Sequence, residues 1–153
     1  RTLRDSIEAA RLVYGENEPQ ATGSMIVLSD ALLRDGDANG ALEIATKALD
    51  IREKAFGAAD WQTAQARGAV GSALAASGRA AEGVAMMEES AQALAKGRGV
   101  ALAGIRRGYQ RLAWYYARSG DTKRAAEYEA LARAVNSTRS DDADRAASTS
   151  QTR

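Results

Sequence analysis

Three glycine-centred tripeptides, Asp35-Gly36-Asp37, Ser77-Gly78-Arg79 and Ser119-Gly120-Asp121, recur at an interval of 42 residues, from 36 to 78 and again from 78 to 120. Each separates two alanine-rich stretches whose apolar residues return at three- and four-residue steps, the stripe of an amphipathic helix. A chain with that recurrence folds as stacked copies of one unit, because each unit covers its apolar face only with a neighbour. The implied fold class is all-α, a solenoid of antiparallel helix pairs with about seven helices.

The interval also links Tyr14-Gly15 to Phe56-Gly57, so residues 1–17 take the place of the second helix of a truncated repeat. Repeats are then expected at 18–57, 58–98 and 99–136. In the first, Pro19 suits an opening helical turn, where its missing N–H costs nothing. Met25, Leu28 and Leu32 form the stripe, and Gly36 ends the helix in the left-handed conformation that carries no Cβ penalty there. Asp37 caps a return helix through Ala41, Leu42, Ala45, Ala48, Leu49 and Ile51 to Phe56. The second repeat puts Trp61 where Pro19 stood, runs to about Ser77 and returns through Val84, Met86, Met87 and Leu94, with Met86 filling gaps in the packing. The third carries Tyr109, Leu112, Ala113 and Tyr116, then returns through Ala125, Ala126, Tyr128, Leu131 and Ala132. Residues 137–153 hold almost nothing larger than alanine, so they are expected to form a polar, disordered tail or linker.

Composition narrows the function classes. Cys and His are both absent, which removes disulfides, thiolate chemistry, the usual general base and the commonest metal ligand. The adjacent carboxylate pairs are Glu88-Glu89 and Asp141-Asp142. Neighbouring residues on a helix point about 100° apart, and the second pair lies in the tail, so neither is a positioned acid/base pair. No enzyme, no catalytic residue, no metal and no cofactor is expected. A net charge of +1 provides no global field for nucleic acid or an anionic membrane surface, and no apolar run is long enough to span a bilayer. The chain starts at Arg1 without a signal-like segment, which reads as a cytoplasmic piece of a longer protein.

Placed in register by its turn glycines, the chain resembles the tetratricopeptide repeat. The positions where that family keeps side chains small, so that two helices approach, hold Ser29, Gly71 and Ala113, then Ala41, Gly83 and Ala125, then Ala48, Ser90 and Ala132. Two further apolar positions hold Leu28, Val70 and Leu112, and Leu32, Leu74 and Tyr116. Arg67 and Glu129 depart from the pattern at positions where Met25 and Tyr109, and Ala45 and Met87, agree with it. The period exceeds the family's usual length of about 34 residues, and the stretch from Ala48 to Gly57 is similar to the longer repeats of kinesin light chains and of bacterial signalling proteins. The resemblance implies a right-handed superhelical solenoid over residues 1–136. Its implied function is protein–protein interaction, a regulatory or scaffolding part of a larger signalling protein that holds a peptide or partner segment in a concave groove.

The groove residues implied by the family are Ile26, Asp30, Leu33 and Arg34 in the first repeat and Gln65, Gly68, Ala69 and Ser72 in the second. In the third they are Arg107, Gln110, Arg111, Trp114 and Arg118. Arg107 and Arg111 would make a cationic fork for a carboxylate of an acidic partner segment, with Trp114 as an apolar wall. A solvated helix face is the plainer reading of Arg106, Arg107 and Arg111, and Trp114 can equally pack inside. The alternative function is structural self-association as a homodimer, through helix faces that the repeat leaves uncovered.

Overall fold

A computed structural model describes Asp5, Glu8, Leu12, Gly15 and residues 18–135. The expected tail lies outside the described residues, as does most of the expected first helix, of which Asp5, Glu8 and Leu12 are helical. A 3-10 turn at Pro19–Ala21, with Pro19 in its first turn, leads into α1 (Thr22–Arg34). α2 (Ala38–Phe56), α3 (Trp61–Ala76), α4 (Ala80–Lys96) and α5 (Leu102–Ser119) come next, and a last helix, α6, covers residues 122–135. No strand occurs among the described residues. The chain divides into two compact units, Arg1–Gly97 and Arg98–Arg153.

The turns explain the period at the level of hydrogen bonds. Asp37 N–H donates to Leu32 O, Arg79 N–H to Leu74 O and Asp121 N–H to Tyr116 O, at 2.8, 3.0 and 3.0 Å. Gly36, Gly78 and Gly120 N–H groups donate to Leu33, Ala75 and Ala117 carbonyls. This is one C-terminal helix motif made three times, and it needs a residue at positive φ between the two donors; Gly78 has φ +97°. Positive-φ glycines also stand at 15, 57 and 99, so a left-handed residue recurs every 21 residues from Gly15 to Gly120. The half-repeat, one helix and its turn, is thus as regular as the whole repeat.

Helix entry is less uniform. Asp37 Oδ1 accepts from Gly40 N–H at 2.9 Å, and Asp121 Oδ1 accepts from Arg124 N–H at 3.1 Å. Arg79 occupies the same place before α4 with no side-chain cap, and instead pairs with exposed Glu82 at 2.6 Å. Its backbone (φ −96°, ψ 55°) is close to that of Asp37 (φ −88°, ψ 73°). Arg79→Asp is therefore expected to add about 1 kcal/mol of stability, because a cap is worth more than an exposed ion pair. The melting temperature should rise by about 3 °C in a calorimetric scan; an unchanged or lower value would refute the capping argument.

In the first unit, Met25, Ile26, Ala45, Ala48, Ile51, Ala66, Ala69, Val70 and Leu74 form the core, with Leu42, Ile44, Leu49 and Met86 packed against it. α3 is buried almost all round, from Thr63 and Ala64 to Ala73, Leu74 and Ala75. Such a helix shows little amphipathicity, since it has no broad solvent face. Its small residues let α4 approach until backbones touch. A Cβ on Gly71 would lie 2.7 Å from Gly83 O and 2.9 Å from Met86 Cβ. The same crossing is tied by Ser90 Oγ–H donating to Ala64 O at 2.7 Å, and Ser29 Oγ–H does likewise to Ala41 O at 3.0 Å between α1 and α2.

The second unit packs aromatics instead. Tyr116 on α5 stacks on Tyr128 of α6 with centroids 5.8 Å apart and planes 2° from parallel, and Tyr109 meets Tyr128 at 6.3 Å. Arg124 lies over Tyr116 at 5.3 Å. Each such contact adds about 1 kcal/mol beyond the area buried.

Candidate functional site

The family-implied groove residues separate by burial. On α1, Ile26 is fully buried and Leu33 is 6% exposed. Residues 22, 26, 29 and 33 form one buried face of α1. Leu32, expected in the stripe, is half-buried. Asp30 is half-buried and Arg34 exposed. On α3, Gly68, Ala69 and Ser72 are buried, because this helix is enclosed. Gln65 is half-buried, and its Oε1 accepts from Arg52 Nη1 at 2.8 Å.

That bond belongs to a polar knot centred on Arg52, a residue not among those expected to matter. Arg52 on α2 is 5% exposed. Its Nε donates to Thr22 Oγ1 at 2.8 Å, and Nη1 donates to Gln62 O at 2.7 Å and to Gln65 Oε1. One guanidinium thus joins the starts of α1 and α3 to the end of α2. Thr63 Oγ1–H donates to Gly57 O at 2.7 Å in the adjoining turn. Arg67, one of the departures from the repeat pattern, bridges from α3 to Ala58 O at 2.8 Å and Glu53 Oε1 at 3.0 Å, which accounts for a charged residue at that place.

On α5, Arg107, Arg111, Trp114 and Arg118 are spaced as one helix face. Arg111, however, is 5% exposed and lies within the buried stripe with Gly108 and Leu112. The expected Arg107–Arg111 fork would join a half-buried guanidinium to a buried one. Trp114 is half-buried, with the exposed Arg118 guanidinium 4.7 Å from its ring centroid, and Arg107 is half-buried. Gln110 is exposed and turns to a different place, a cleft of about 330 Å³ between α5 and α6. Arg106, Glu129, Ala132 and Arg133 complete its lining. Glu129, the other departure from the repeat pattern, is an exposed side chain 3.9 Å from Arg133 there.

Among the described residues no cluster of carboxylates could hold a metal ion, and no helix is long and apolar enough to cross a membrane. The chemistry these surfaces offer is recognition through guanidinium and indole groups.

No curated protein matches the chain. Residues 22–61 match the family model described as "Tetratricopeptide repeat". That segment holds α1, the Gly36 turn, α2 and the entry to α3, and the turn and close-packing contacts found in it recur at the α3–α4 pair. The chain contains a tetratricopeptide repeat at residues 22–61, set in an all-helical fold of antiparallel helix pairs.

Proposed function

We propose that this chain is a protein-interaction module that holds a segment of a partner protein, an acidic peptide by chemistry, against the α5 face formed by Arg107, Trp114 and Arg118. Tetratricopeptide repeats mediate protein–protein interaction, and one observation supports this face. Arg118 stands over a half-exposed Trp114 ring, so a cation and an apolar wall are presented together. A carboxylate pairs with the guanidinium while an adjacent apolar side chain packs on the indole. Arg107, two turns earlier on the same face, offers a second charge.

Arg107→Ala combined with Trp114→Ala is expected to weaken binding of a labelled Asp/Glu-rich peptide by tenfold or more, about 1.4 kcal/mol at least. Fluorescence anisotropy at low salt measures this, and equal affinity for the native and doubly substituted chains would sink the proposal. Self-association is the second reading. It is favoured by Val27, 46% exposed on α1, and Leu131, 45% exposed on α6. Sedimentation over a concentration series tests it, since a monomer at the highest concentration removes that reading.

A further inference from the structure

The 42-residue interval relates the α5–α6 cleft to the first repeat. Two intervals earlier, its five lining residues correspond to Thr22, Ile26, Ala45, Ala48 and Leu49. On α1 and α2 those five form a seat: Ile26, Ala45 and Ala48 join Ala66, Ala69 and Val70 of α3 in one core, Leu49 packs against it, and Thr22 is fully buried. The first helix of the next repeat fills that seat. One interval earlier the same places hold Ala64, Gly68, Met87, Ser90 and Ala91, small or apolar again. In the α5–α6 cleft only Ala132 keeps that character. Arg106, Gln110, Glu129 and Arg133 take the other four places, and Gln110, Glu129 and Arg133 are exposed.

We infer that α5 and α6 form a capping pair: the cleft of about 330 Å³ occupies the place of a repeat seat, and its charged lining refuses the apolar helix face of a further repeat. Stacking there would take the Arg133 and Glu129 side chains, 73% and 58% exposed, out of water. Their mutual contact, at 3.9 Å, contributes little and does not offset that desolvation. An apolar helix face also offers Gln110 no hydrogen-bond partner. A repeat array needs a polar outer face where stacking stops, since an apolar one recruits another copy. Glu129, which departs from the repeat pattern, thereby acquires a role at the place where Ala45 and Met87 are buried. The lining contains none of Arg107, Trp114 and Arg118, so the capping role is independent of the peptide-binding proposal. It is independent of Leu131 as well, which stands outside the cleft at the place of Lys47 and Glu89.

Arg106→Thr, Gln110→Ile, Glu129→Ala and Arg133→Leu together give the cleft the lining of the α1–α2 seat. Sedimentation of the full chain over a concentration series should then show self-association at least about tenfold tighter than any in the native chain. The association should persist at high salt, because apolar burial is not screened. Glu129→Ala with Arg133→Leu changes only exposed side chains and should move in the same direction, so the outcome does not depend on the fourfold variant folding. Thr46→Ile with Asp50→Leu, at two exposed places one turn apart on α2, adds the same two large apolar side chains away from any seat and should associate less. Unchanged association of both cleft variants would overturn the inference. So would association of the Thr46 and Asp50 variant as strong as theirs, which would make general stickiness rather than a seat the cause.

Discussion

Gly83→Val is expected to destabilise the first unit by about 3 kcal/mol or more, at the upper end of overpacking costs. The loss would be read as a lower urea midpoint at unchanged slope. A Cβ at Gly83 would meet the carbonyl oxygen of Gly71, with Ala75 N at 2.5 Å and Ala75 Cα at 2.9 Å. All three are backbone atoms, so no side chain can rotate away, and α3 and α4 must separate along a crossing that Ser90 also holds. Gly83→Ala should still be destabilising, although alanine favours a helix over glycine by about 1 kcal/mol. Gly23 on α1 serves as the control. Nothing lies within 4 Å of a Cβ placed there, so Gly23→Ala should stabilise by up to about 1 kcal/mol. If the two alanine substitutions change stability alike, close approach is not what glycine provides at Gly83.

Arg52→Ala is expected to cost about 3 kcal/mol, as removal of one partner from a buried charged network does. The substitution removes the donors to Thr22 Oγ1, Gln62 O and Gln65 Oε1 together. It also leaves a void at a side chain that is 5% exposed. Arg52→Lys keeps the charge, but an ammonium cannot reproduce the planar fork that reaches two helix starts, so most of the loss should persist. Chemical denaturation measures both. Near-native stability of Arg52→Lys would show that charge rather than geometry matters at the knot. Amide exchange near Thr22 and Gln62 should quicken more than exchange in α4, because the knot ties the starts of α1 and α3.

Much of this architecture was legible from residue spacing alone. The interval of Gly36, Gly78 and Gly120 placed the turns, and the register assigned Gly71 and Gly83 to a close helix crossing. Local chemistry suffices there: a left-handed residue after a helix, or an Asp at its entry, acts through bonds only a few residues long. The candidate site was far less legible. Ile26, Ser72 and Arg111 sit at places the family leaves open, yet each is buried, because burial depends on how many neighbours a helix acquires. Arg106 and Gln110 share a cleft with Glu129 and Arg133 through the meeting of two helix faces, and helical spacing on either one does not specify that meeting.

The sequence by itself determined a helical repeat with turns at a constant interval, since periodicity and turn residues act locally on the backbone. Tertiary structure alone decided that α3 is enclosed, that Arg52 joins three helix ends, and that Trp114 keeps a half-exposed ring beneath Arg118. Those outcomes depend on which side chains from distant parts of the chain arrive at the same place, and on how much water they exclude on arrival.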